Sequence, residues 1–434
     1  MTTLTKVGNF ILRSGTGNQS ITGVGFTPKV VIFWSQYYSI TDPIPADNNS
    51  DPGHQLMRFF GAASSSTARF CEISALNYHV NGAENGIQND RCILWRNPYD
   101  GAYVMDADFS SMDSDGFTIN VTRALPTTFN YSNVQINFMA IGGSSITAQA
   151  GTFLANTGDQ GTTQTYSVGF QPKALIFVTG PQNDGTTSPD TGGALGLGFC
   201  VGTSASQQAC CSYWETPEAS RLTKNIEYQG ACIPKIGYNG DFLDMLGTVT
   251  ALGSTSFSVF YKCKSAATTC MVGYVALGGT ATFSFGTITE PGSTGVQTIS
   301  TPGVKPVAQF FMTSGNTSSG TTNYASVTTG FATLNANSNM SIAGTDNRGQ
   351  ELISHYVPDG NTTDTTMVGA SSTSSGIGRC SSSATFNSQG AFQFDFSQSF
   401  TINWTTVSGS GIRYPYLVIG DVPLKTSRAM INVF

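Results

Sequence analysis

Three histidines, nine cysteines and a scatter of aspartates are the residues of this chain that could do chemistry. A nucleophilic triad would have to use His54, His79 or His355, and no G-x-S-x-G elbow, H-E-x-x-H pair or phosphate-binding loop accompanies them. Paired carboxylates, the tool of glycan hydrolysis, are best represented by Asp106, Asp108, Asp113 and Asp115. That run lacks the spacing and closing glutamate of a calcium loop, and Asp115-Gly116 reads as a hairpin turn. The Asp/Asn/Pro-rich stretch 42–53 and the aspartates Asp184 and Asp190 could hold a cation, with a solvated loop as the default reading. The cysteines have no C-x-x-C pair, lie far from the histidines and follow no visible register, which points to free buried thiols. The expectation is a chain with no catalytic residues, no bound metal and no cofactor.

The elements that would position any site are easier to read. Short apolar or alternating runs, bounded by Gly, Asn, Asp, Ser and Pro, dominate, and no long 3.6-period stripe occurs. The stretch from Gly17 to Phe33 holds an alternating strand, a turn closed by Pro28, and an almost wholly apolar strand. The string Val24-Gly25-Phe26-X-Pro28-Lys29 returns as Val168-Gly169-Phe170-X-Pro172-Lys173. A looser copy, from Gly295 to Met312, contains Gly303-Val304-Lys305-Pro306. A closing signature recurs too: Phe117, Phe257 and Phe400 each open an alternating strand, followed by apolar runs ending at Gly143, Gly279 and Gly420. The copies lie much further apart than the roughly 20–50 residues of solenoid or propeller repeats.

The fold class expected is therefore all-β: three tandem antiparallel β-sandwiches, jelly-roll-like, related by internal repetition. The divisions fall at 1–143, 144–279 and 280–421, with 422–434 as a C-terminal tail. That tail is too apolar for a solvated end and reads either as packing on its own domain or as a docking arm that adds a strand to a neighbouring subunit. Phe26, Pro28, Phe170, Pro172, Pro306, Phe117, Phe257 and Phe400 are the fold-defining motif residues. The continuous apolar run Val30–Trp34 must be covered on both faces, by its own sandwich or by a neighbour.

Net charge is −6, without Lys/Arg clusters, which disfavours nucleic-acid binding. No run of apolar residues is long enough for a membrane span, and Met1–Gly8 shows no secretory pattern. The N-x-S/T sequons follow from an Asn/Ser/Thr-rich composition. Function is then sought on the surface. Aromatics in loops, Trp34, Tyr37, Tyr38, Tyr213, Trp214 and Tyr356, are candidate contact residues, as are Met430, Ile431 and Phe434 of the tail.

At Ser20–Phe33, Asp115–Ile119 and Phe138–Gly142 the chain resembles repeated β-sandwich domains of tailed-bacteriophage virion structural proteins. The resemblance covers all three copies and is loosest in the third. It implies a non-enzymatic protein on the particle surface, as capsid decoration or cement, or as a tail or baseplate component. Its partners would be other phage structural proteins, with a host-surface glycan as the receptor-binding alternative and polysaccharide depolymerisation as a second one. It further implies a virion location, assembly in the bacterial host cytoplasm, and the option of a homo-oligomer or of one chain imitating a trimer.

Overall fold

The computed structural model describes residues 2–36, 55–77, 82–96, 103–124, 135–155, 158–180, 188–190, 193–215, 223–236, 243–264, 269–317, 320–322, 324–334, 348–358, 368–372, 375–380, 386–394 and 398–423. They are nearly all strand, and every pair of strands in the sheets is antiparallel.

Strands β1 (Thr3–Ile11), β2 (Gly17–Thr22), β3 (Pro28–Gln36), β4 (Gln55–Ala63), β5 (Arg69–Asn77), β6 (Gly82–Gln88), β7 (Ile93–Arg96), β8 (Tyr103–Asp113), β9 (Gly116–Arg123) and β10 (Gln135–Gly143) come first. They form a large sheet, β1-β10-β3-β4-β5-β6, and a small one, β2-β9-β8-β7. Next are β11 (Ile146–Ala155), β12 (Thr163–Ser167), β13 (Pro172–Thr179), β14 (Ser188–Asp190), β15 (Gly193–Cys200), β16 (Gln208–Glu215), β17 (Thr223–Gln229), β18 (Ile233–Ile236), β19 (Leu243–Leu252), β20 (Ser256–Lys264) and β21 (Cys270–Gly279). They repeat the order as β11-β21-β13-β15-β16-β17 and β12-β20-β19-β18.

The last set is β22 (Thr282–Thr289), β23 (Gly295–Ser300), β24 (Lys305–Thr313), β25 (Gly320–Thr322), β26 (Tyr324–Leu334), β27 (Arg348–Pro358), β28 (Val368–Ser372), β29 (Ile377–Cys380), β30 (Phe386–Phe394), β31 (Ser399–Thr406) and β32 (Arg413–Asp421). It gives β22-β32-β24-β26-β27-β28 and β23-β31-β30-β29. One strand order thus occurs three times. Among the described residues, the outer edge of two large sheets is covered by a neighbour: β14 pairs with β6, and β25 pairs with β17. Covering an edge satisfies its backbone groups and blunts unwanted pairing.

Each small sheet closes over one face of its large sheet. The buried phenylalanine after the hairpin is the hub of each sandwich. Phe117 has ring centroids at 5.5 Å from Phe33 and 5.2 Å from Phe138, and Phe257 lies 5.7 Å from both Phe177 and Tyr274. Phe400 lies 5.7 Å from Phe392 and 5.6 Å from Tyr416.

The opening motif has a mechanical explanation. Pro28, Pro172 and Pro306 are buried and stand opposite Gly142, Gly278 and Gly420, each beside a register shift. A Cβ on Gly142 would come within 2.9 Å of the Phe26 ring, and one on Gly278 within 2.9 Å of the Phe170 ring. In the third copy Val304 fills that place, 2.6 Å from a Cβ on Gly420. The turn before each proline runs through a left-handed residue, Gly25 (φ 88°), Gly169 (φ 73°) or Gly303 (φ 79°). Asp115 accepts hydrogen bonds from the Gly23 and Gly25 amides at 3.0 and 2.6 Å. Gln398 does so for Gly303, and the Thr255 carbonyl for Val168 and Gly169.

The other faces of the three large sheets meet in a fourth, shared core. It contains Val30, Ile32, Trp34, Phe60 and Phe70 from the first sheet, Ile176, Leu197, Phe199 and Leu277 from the second, and Phe310, Leu417 and Ile419 from the third. The contacts run in a ring. Strand β11 lies against β3, β4 and β5; β22 lies against β13; β1 returns to β24, β26 and β27. Hydrogen bonds mark the seams: Ala150 N–H to Ser64 Oγ at 3.0 Å, Gln229 Nε2 to Thr287 Oγ1 at 3.1 Å, and Thr3 N–H to Asp421 Oδ1 at 2.9 Å. The run Val30–Trp34 is covered on both faces, the second by neighbouring sheets.

A shared core predicts one unfolding event. Phe117→Ala should cost about 3–5 kcal/mol. Near-ultraviolet dichroism and tryptophan fluorescence should still follow a single coincident transition, because Trp34, Trp95, Trp214 and Trp404 report from all three sandwiches. Three separable transitions would refute the shared core.

Candidate functional site

Antiparallel pairing sorts the connections by end. In the first copy, strand ends Gln36, Gln55, Asn77, Gly82, Arg96, Tyr103, Arg123 and Gln135 lie at one end, so residues 37–54, 78–81, 97–102 and 125–134 all leave from there. In the second copy residues 181–187, 216–222, 237–242 and 265–268 leave from the same end. The opposite end, the base, carries the motif turns and the tight connections 64–68, 89–92, 114–115 and 253–255. In the third copy the base also has the longer connection 335–347.

Beneath the loop-bearing end, the shared core turns polar. Arg58 lies over the Tyr213 ring at 4.0 Å, and the Tyr213 hydroxyl is 3.0 Å from Ser74 Oγ. Glu72 is fully buried beside this pair, with neither carboxylate oxygen hydrogen-bonded among the described residues. Burial pushes its pKa well up, and the Arg58 charge pulls back. Across the next seam, buried Glu227 faces Arg413 at 3.5 Å, while Asn225 Nδ2 donates to the Ser314 carbonyl at 2.6 Å. Burial raises the Glu227 pKa to about 8, and Arg413 opposes that rise.

The carboxylate run of the first copy is spent on structure. Asp108 pairs with Arg69, and Asp106 lies 3.7 Å from Arg91. Both aspartates are raised by desolvation, with these arginines opposing. Asp113 accepts from Ser111 at 2.8 Å and Thr118 at 2.6 Å. Among the described residues, no group of three or more His, Cys, Asp and Glu is placed to hold a metal. Asp190 lies in β14, His355 in β27, and His54, His79, Asp42, Asp47, Asp51 and Asp184 lie outside the described residues.

Three of the contact aromatics are corrected. Trp34, Tyr213 and Trp214 are strand residues with 2 %, 0 % and 2 % exposure. Trp34 and Tyr213 face the shared core, and Trp214 packs with Ala194, Ile226 and Ile236. Buried rings of this kind cannot meet a partner. Tyr356 sits within β27 opposite Ser326, not in a loop. Tyr37, Tyr38, Met430, Ile431 and Phe434 lie outside the described residues. The motif residues Phe26, Pro28, Pro172, Pro306, Phe117, Phe257 and Phe400 are buried, and Phe170 is half-buried.

The cysteine reading is corrected in part. Cys71 stands opposite Gly61 and Cys210 opposite Gly198, and Cys92 and Cys232 directly precede the equivalent strands β7 and β18. Two pairs therefore do follow the repeat. Cys71, Cys92, Cys200, Cys210, Cys211, Cys232, Cys263 and Cys270 are free, and burial raises the thiols of Cys71, Cys92, Cys211 and Cys232 far above the ordinary range. Such thiols act as small apolar side chains. Sequence reading missed the exposed apolar residues Ile11, Leu154, Val296 and Val422. No family model matches this chain, and neither does any curated protein.

Glu227 makes stability depend on pH. Its folded pKa of about 8 exceeds its ordinary 4.5, so its protonated form favours the fold and that stability is lost as pH rises toward and through 8. Glu227→Gln should flatten this decline in urea melts at pH 5, 7 and 8.5. An unchanged slope would show that the carboxyl does not titrate in the folded protein.

Proposed function

We propose that this chain is a non-enzymatic attachment protein on the surface of a tailed-bacteriophage particle. It acts by protein–protein contact, as a capsid decoration or as a tail or baseplate component, and is made and assembled in the host cytoplasm. The observation that carries the reading is that, in the first two copies, the long, unlike connections leave from one end, opposite the repeated motif turns. Loops held on a rigid scaffold are where binding residues concentrate. The repeat motifs that resemble virion proteins support the setting, and the buried free thiols suit assembly in a reducing compartment.

The competing readings draw on different residues. A receptor- or carbohydrate-binding protein draws on exposed aromatics, and among the described residues the candidates Trp34, Tyr213 and Trp214 are buried. A depolymerase needs a free carboxylate pair, and Asp106 and Asp108 face Arg91 and Arg69.

The test is reconstitution. Purified protein mixed with particles lacking it should co-sediment to saturation and release no sugar from host polysaccharide. Replacing 181–187 and 216–222 together by Gly-Ser linkers should weaken co-sedimentation at least tenfold with little change in melting temperature. Saturable polysaccharide cleavage, or no binding to particles, would overturn the reading.

A further inference from the structure

A groove of 440 Å³ opens at the base, on the seam between the second and third sheet pairs. That volume lies within the roughly 300–1,000 Å³ of typical binding clefts. Its second-copy wall is Gln171, Pro172, Lys173, Val201 and Leu252, and its third-copy wall runs through Ala281–Phe283 and Pro302–Val304. The lining is largely apolar. The one charged side chain, Lys173, donates to the Ala281 carbonyl at 3.5 Å and so lies along the seam.

The seam between the first and second copies shows what is unusual here. Register places Ser64, Met112 and Ala148 where this groove has Val201, Leu252 and Phe283. Ser64 accepts the Ala150 amide and knits that seam with a hydrogen bond. Valine at the same place has no oxygen to accept one, and Phe283 adds a ring where alanine stood. At this one position the second seam has half-exposed apolar side chains where the first has a hydrogen bond.

The last described strand ends beside this groove. Strand β32 lies between β22 and β24, and its last pairs are Gly420 with Thr282 and Asp421 with Lys305. Thr282 lines one side of the groove, and Lys305 directly follows Val304 on the other. The described chain stops at Pro423, two residues further on. Residues 424–434 then supply Leu424, Met430, Ile431, Val433 and Phe434, with Lys425 and Arg428 and no acidic residue. At roughly 3.3 Å per residue, eleven extended residues span about 36 Å.

We propose that the groove is a peptide-binding site whose occupant is the 424–434 segment of the same chain, seated through its apolar side chains. Attachment a few residues from the site gives the segment an effective concentration on the order of millimolar, so even a weak fit stays occupied. A seated segment covers Val201, Leu252 and Phe283, which otherwise remain open to water. The proposal is independent of the attachment reading and concerns the isolated protein.

The test places a photo-crosslinker, p-benzoylphenylalanine, at exposed Gln171 in the full-length chain. Equal amounts of ¹⁴N- and ¹⁵N-labelled protein are mixed before irradiation. Crosslinks to peptides from 424–434 within one isotope label are expected. Crosslinks between labels, to other segments, or none at all would overturn the assignment. As a second measurement, a fluorescent peptide of sequence 424–434 should bind a chain truncated after Pro423 at least tenfold more tightly than the full-length chain. Equal affinity for the two would equally reject it.

Discussion

The apolar contact among the outer faces of three large sheets holds this molecule together as one body. A sheet that closes only its own sandwich needs one buried face and can leave the other polar. Here the strands β3, β13 and β24 are apolar on both faces, and each would expose a wide greasy surface if its sandwich stood alone. The ring of seams removes that surface. Because β1 returns to the third sheet, no sheet pair is terminal, and short linkers between copies are a consequence of the packing.

The repeated motif serves that arrangement at the base. A left-handed glycine, a plug of phenylalanine or valine, and a buried proline start each apolar strand at a fixed height. The carboxylate of Asp115, the amide oxygen of Gln398 and the carbonyl of Thr255 do the same work of holding the turn's amides. The chemistry of the clamp varies while its position does not. That explains why the third copy looks degenerate as a string yet follows the same strand order.

Much of the fold was legible in the sequence because its signals are local. Alternation, turn residues and the proline motif act within a few positions, and they announce an all-β chain. What covers the second face of Val30–Trp34 was not legible, since an apolar run carries no mark of its partner. Trp34, Tyr213 and Trp214 were misread for a related reason: they sit near polar connections in sequence, yet pairing turns them inward. The cysteine register was hidden because loops of unequal length shift the numbering, and only strand pairing shows that Cys71 and Cys210 face equivalent glycines. Nothing in the sequence marks Arg58, Glu72, Glu227 and Arg413 as partners, because their meeting arises between strands far apart in the chain.

The ring closes through one polypeptide, and this frees it from a rule that binds true trimers. Three identical subunits must carry any substitution three times, so a change useful at one seam or tip is imposed on the other two. Here Gln309 can stand where Val31 and Leu175 stand, and Val201 can replace a serine at one seam alone. Each copy can change independently while the strand order stays common to all three. Such a molecule can address three different neighbours, or one neighbour in a single orientation, which a symmetric assembly cannot do.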